Sequence, residues 1–352
     1  MGKEDVLEYL DFGIGEPDPP EEQTNKKHCK GVEYINTTKV STALTTREAK
    51  EKTVKVHEYG EKTEKNRQSF TIMSLYSRVL NMSNVVITPF DINILDCVYS
   101  MIKNGQSVFT IEQLANTLMK KEVKFDSIDV NYQDTFEAMK LTKEANPELS
   151  EEQLNFYNRL HLSIMKLSNV TVRLDCSRMK APDGEKVFDR HIKYGYLLPM
   201  EIDEYESPVK KEQRIKYTMI KKSILYQYAE RLNRVAVVPA KMLDTGLPAS
   251  VDGVVLGREI AKIITIMKNP HNHYASRDIT YEWKKGGEEK GLFARIGLKK
   301  ESYPSPQSWS RKKRQIHKMI GEILEKYKQD GVITNYHENI NGKSKVGYHI
   351  DI

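Results

Sequence analysis

The stretch from Ser308 to Ile352 constrains the fold of this 352-residue chain more than any other part of it. Ile316, Met319, Ile320, Ile323 and Tyr327 recur at helical spacing, which predicts one long helix from about Ser310 to Gln329 with a single buried stripe. Two strands follow, Val332 to Ile340 and Val346 to Ile352, joined by the short basic turn Asn341-Gly342-Lys343-Ser344-Lys345. The helix opens on Arg311, Lys312, Lys313 and Arg314. At about 100° per residue, Arg311, Arg314 and Lys318 project away from the apolar stripe, while Lys312 and Lys313 fall nearer the core edge. A helix with a cationic outer face, followed by a hairpin with lysines at its tip, is a compact way to present positive charge to a polyanion.

The rest of the composition fits that geometry. The net charge of +6 favours an anionic partner, most simply nucleic acid. Hydrophobic residues make up 39% and charged residues 30%, a balance that predicts folded domains together with solvated segments. The cysteines, Cys29, Cys97 and Cys176, are odd in number and have no metal-like spacing, which favours a reducing compartment and a packing role for Cys97. No apolar run reaches the roughly 18 residues of a membrane span. Acidic Glu4, Asp5 and Glu8 stand where a signal peptide would be basic. A soluble, cytoplasmic protein is the expectation.

Residues 1–66 read as a largely disordered charged tail. Its first part is acidic and broken by Pro17, Pro19 and Pro20, and its second part is rich in Lys, Thr and Glu, so it has little apolar surface to offset ordering entropy. One apolar island, Val6 to Ile14, suits either a docking motif or an element laid on the first domain. That domain is read over 67–221. Thr88-Pro89-Phe90-Asp91 is a helix start, Thr110 with Gln113 and Ser150 with Gln153 are capping boxes, and Gly105 can end the first helix. Val170 to Cys176 and Tyr194 to Asp203 read as strands around a polar loop, Ser177 to His191. Residues 222–352 repeat the order of helix, short strand, short helix, long helix and hairpin. The predicted fold is therefore α+β, two winged helices in tandem.

The candidate DNA-contacting residues follow from this layout. Arg311 and Arg314 suit bidentate contacts to guanine, and Lys312, Lys313 and Lys318 suit phosphate. Lys343 and Lys345 sit at the second wing, and Lys180 and Lys186 lie near the first. On the helix opened by Ser150, Asn155, Arg159 and Lys166 fall opposite the stripe of Leu154, Tyr157, Leu160, Ile164 and Leu167. His271-Asn272-His273-Tyr274 has the outline of a nickase metal motif, but an Asn holds its centre in a Pro-flanked loop. No phosphate-cradling glycine loop and no zinc spacing occur. The expectation is a binding protein that is not an enzyme and needs no cofactor.

Ile87-Thr88-Pro89-Phe90-Asp91, Phe109-Thr110, Ser163-Ile164-Met165-Lys166-Leu167 before the strand from Val170, Leu225-Tyr226-Gln227-Tyr228-Ala229 and Val237-Val238-Pro239 together give residues 83–352 a likeness. In this architecture the chain resembles bacterial plasmid and mobile-element replication initiators of the tandem winged-helix, iteron-binding class. The resemblance implies binding to direct repeats in double-stranded DNA, one domain per half-site, with the helix of Arg311 and Arg314 as main reader. It also implies recruitment of host initiator and replicative helicase, and an exchange between homodimer and monomer. A winged-helix transcriptional regulator or partition protein of a mobile element is the alternative. The long connection at 120–149 departs from the class.

Overall fold

The computed structural model describes residues 31–35, 52–57, 67–74, 87–119, 141–175, 191–206, 213–231, 235–269, 272, 274–285, 288–289, 291–342 and 344–352. In chain order the elements are β1 (Gly31–Ile35), β2 (Lys52–His57), β3 (Arg67–Ser74), α1 (Pro89–Lys103), β4 (Val108–Thr110), α2 (Ile111–Met119), α3 (Glu151–Ser168), β5 (Val170–Asp175), β6 (Ile192–Tyr196), β7 (Met200–Glu206) and β8 (Gln213–Met219). Then come α4 (Ile224–Arg231), β9 (Val235–Pro239), α5 (Val251–Met267), β10 (Ser276–Thr280), β11 (Lys284–Lys285), β12 (Glu288–Glu289), α6 (Leu292–Arg295), α7 (Pro306–Gln329), β13 (Asn335–Asn341) and β14 (Ser344–Asp351). The chain is a mixed α and β fold built from several small antiparallel sheets. Among the described residues, no helix is long and apolar enough to cross a membrane.

Local chemistry explains the helix starts. Thr88 and Asp91 cap α1 reciprocally, Pro89 supplies its fixed φ at the first turn, and Gly105 leaves the helix at φ 86°. Ser150 and Gln153 close a second reciprocal box on α3, and Thr110 and Gln113 do the same at the start of α2. The long C-terminal helix begins earlier than its periodicity indicates, because Ser305 and Ser308 cap each other around Pro306.

Two sheets share one topology. In the first, the order is β4-β8-β7, and in the second it is β10-β14-β13. In each, a leading helix (α1 or α5) precedes a short strand, and further helices lead to a hairpin whose second strand pairs with that short strand. The first hairpin differs from the sequence expectation. The span read as one strand, Tyr194 to Asp203, is divided at 197–199 into β6 and β7, which belong to different sheets. β5 and β6 join β2 and β3 in a four-stranded sheet, and it is β7 and β8 that complete the sheet of β4. Leu197 and Leu198, both buried, mark the crossing point: their side chains enter the core where the chain changes sheets.

Two stretches within the expected tail are strands. β1 pairs antiparallel with β9, from Gly31↔Pro239 to Ile35↔Val235, and β2 pairs with β3. Val32 and Tyr34 are buried in the second core cluster. They supply the apolar surface that the Lys- and Thr-rich average of this region conceals.

α1 and α5 pack on each other across a polar seam. The buried Asp96 carboxylate accepts from the Tyr226 hydroxyl of α4 and lies 3.4 Å from Lys262 Nζ of α5. Burial pushes the Asp96 carboxyl up, and Lys262 and the Tyr226 hydroxyl pull it back down. Glu33 of β1 donates its backbone N–H to Ser100 Oγ at 2.7 Å, and Lys103 pairs with both Glu33 and Glu230. Ile224, Leu225 and Tyr226 of α4 belong to the first core cluster, with α1.

Candidate nucleic-acid interface

The hydrophobic stripe of α7 fixes which of its residues face outward. Ile316, Ile320, Ile323, Leu324 and Tyr327 are buried, and the Tyr327 hydroxyl donates to the Met242 carbonyl. Arg311, Arg314 and Lys318 are exposed on the other side. Lys318 is the most open of the described pairs, 79% exposed, with Glu322 one turn on at 3.6 Å. Pairs this exposed are worth little and exchange readily for another anion.

Between α7 and the β13–β14 hairpin runs a groove of about 740 Å³. Ser310, Lys313, Arg314, His317, Lys318 and Gly321 line one wall; Glu338, Ser344, Lys345 and Tyr348 line the other. Four cationic side chains thus face a single carboxylate. A Cβ at Gly321 would stand 3.4 Å from the Tyr348 hydroxyl, in ordinary contact across the groove. Lys313 is steadied by Trp309, whose ring centroid lies 5.5 Å from the ammonium. Trp309 itself is buried against Phe293 and Tyr303. At the floor, His317 stacks on Tyr281 with ring centroids 4.4 Å apart. Its pKa is lowered, first by burial and then by Lys345 and Lys313, so the ring is neutral near pH 7. The hairpin wall turns tightly at Gly342, φ 62°, directly after Asn341.

Two lysines expected to contact DNA are instead buried in ion pairs. Lys166 does not lie on an exposed face of α3: its ammonium is 2.9 Å from Asp91 Oδ2, with both side chains almost wholly buried. Its stem is long enough to cross to the first turn of α1, where Asp91 gathers Thr88 and Ser163 as well. Lys312 is likewise buried and pairs with Asp252 in the first turn of α5. Helical phase placed both at an edge or an outer face, but the partner that draws each one inward is on another helix. No signal within α3 or α7 marks those partners. Acidic residues in the first turns of α1 and α5 are the only hint.

On α3, Asn155 is exposed and Arg159 is half-buried. The first turn of α3 carries Glu151 and Glu152, so its positive helix end has no basic cluster like that of α7. Lys180, Lys186, Lys343, His271 and His273 lie outside the described residues. Residues 207–212, between β7 and β8, do too, and they include Lys210 and Lys211. Among the described residues, no group of three or more His, Cys, Asp and Glu side chains is placed to hold a metal ion.

No protein-family model matches the chain. No curated protein matches it either. Among solved structures, domains 2 and 3 of RctB are similar at 12% identity and a TM-score of 0.35, over 87% of this chain and 91% of that one. A likeness this loose leaves the functional argument to the geometry of α7 and its hairpin.

Proposed function

We propose that the chain is a sequence-specific binder of double-stranded DNA, built as two winged helices in tandem, and that it acts as a replication initiator on direct repeats. One observation carries the reading. Arg314 and Lys318 on the exposed side of α7 and Lys345 on the hairpin border one groove, and Arg311, also exposed, stands one turn before Arg314 on the same helix. α7 enters the major groove by its N-terminal half, where the two arginines meet base edges. Lys313, Lys345 and the helix N-terminus take up phosphates, which position the protein without reading sequence. The shared strand order of the two three-stranded sheets supports the tandem reading. With acidic residues at the start of α3, the first unit contributes less and the second unit is the main reader.

The mechanism needs binding energy alone, with no cofactor and no covalent step. Phosphate neutralisation brings the protein to the duplex, base contacts select the repeat, and bending between half-sites favours strand opening. Host initiator and replicative helicase are the partners this role calls for, and a homodimer is the expected resting form. The test has two stages. Retention of duplex DNA measured against salt should weaken steeply, which establishes the binder. A plasmid carrying the gene and its flanking repeats, in a host that offers no other origin, should then replicate. Binding without replication would assign the chain to transcriptional regulation or partition instead.

A further inference from the structure

The carboxylate in the cationic groove needs its own explanation. Glu338 projects from β13 opposite Tyr348 of β14. Its Oε1 accepts from Lys345 Nζ and, at 3.3 Å, from the Tyr348 hydroxyl. The other lining cations, Lys313, Arg314 and Lys318, stand on the facing wall. The side chains of Glu338 and Lys345 are 34% and 46% exposed, so the pair is open to exchange with a ligand. A groove shaped only to hold phosphate gains nothing from an anion in its wall. As arranged, Glu338 cancels the charge of Lys345, the hairpin lysine that borders the groove among the described residues.

We propose that Glu338 is an electrostatic restraint on DNA binding, resting on the reading of α7 and its hairpin as the duplex interface. Lys345 reaches a phosphate only by giving up Glu338, and the uncovered carboxylate then lies against the duplex and retains a cation there. The Glu338–Lys345 pair therefore adds no net charge to the complex. Duplexes that offer only a backbone are held weakly. Those that also satisfy Arg311 and Arg314 are held well.

The variant Glu338→Gln keeps an amide oxygen for the Tyr348 hydroxyl and removes only the charge, so its thermal midpoint should stay near that of the wild type. It should bind any duplex about fivefold more tightly at low salt, the size of one unit charge at contact distance in water. Its log affinity against log salt should also be steeper by about 0.9, the contribution of one further neutralised phosphate. A merely structural role for Glu338 would not move that slope. Lys345→Ala should weaken binding by a similar factor in the wild-type background, because it leaves the Glu338 carboxylate uncompensated, and in the Glu338→Gln background it should return affinity to about the wild-type value. Wild-type retention of DNA with an unchanged slope in Glu338→Gln, or weaker binding by that variant, overturns the restraint alone. A wild-type protein that retains no duplex at any salt overturns the DNA reading and this proposal together.

Discussion

Lys166 Nζ lies 2.9 Å from Asp91 Oδ2 and ties the last turn of α3 to the first turn of α1. Lys312 and Asp252 make the corresponding tie in the second unit, but there the lysine comes from the second turn of α7. The two long helices therefore meet their leading helices at opposite ends. In the second unit this anchors the N-terminal half of α7, the part that carries Arg311 and Arg314. In the first unit it anchors the far end of α3 and leaves an acidic first turn outermost.

Replacing Lys166 with Met should destabilise the fold by about 3–5 kcal/mol, because it strands a buried carboxylate. Asp91 keeps Thr88 and Ser163 as hydrogen-bond donors, which places the expected loss at the lower end of that span. Urea unfolding measures the loss. DNA affinity of the folded fraction should be unchanged, since Lys166 faces the core.

At the seam, Asp96→Ala should cost about 3 kcal/mol, by leaving Arg258 in low dielectric without this carboxylate, while Lys262 keeps Glu259 at 3.7 Å. Tyr226→Phe, which removes only a hydroxyl, should cost about 1–2 kcal/mol. Unfolding followed by a probe in each unit reads both variants. Unchanged stability in Asp96→Ala would contradict the assignment of this carboxylate as the centre of the joint.

His161 gives the stability a pH dependence. Its Nδ1 lies 2.8 Å from the Tyr217 hydroxyl and its Nε2 lies 3.1 Å from Glu204 Oε1. Burial outweighs the nearby carboxylate and pushes the ring from the usual 6.5 down to about 4. The unfolded chain therefore binds more protons than the folded one between these values. The contribution of His161 is complete above about pH 6.5, falls as acid is added, and levels off near pH 4, a total of about 3 kcal/mol. Urea midpoints across that window should fall in the wild type and flatten in His161→Gln.

What was legible in the sequence was local. Thr88 with Asp91, Thr110 with Gln113 and Ser150 with Gln153 each announce a helix within four residues, and each does cap one. The apolar stripe of α7 was equally plain, since Ile316, Ile320, Ile323 and Tyr327 need only one helix to define them. What escaped was decided between distant segments. β1 is a strand because β9 pairs with it some two hundred residues later, and nothing in Gly31–Ile35 names that partner. The division of Tyr194 to Asp203 into two strands follows from which sheet each half joins. The inward turns of Lys166 and Lys312 depend on aspartates of neighbouring helices. Helical phase reports direction and carries no information about how far a lysine will reach.

The central claim rests on Arg311 and Arg314. A duplex selected from a random pool by the wild-type protein, and a scrambled duplex of the same length, would be titrated with wild type and with Arg311→Ala/Arg314→Ala between about 50 and 200 mM salt. The wild type should prefer the selected duplex. The double variant should lose that preference, by on the order of 2–6 kcal/mol for two arginine–guanine contacts, while keeping salt-sensitive binding to both duplexes. Undiminished preference in the double variant would contradict the assignment of α7 as the reading helix.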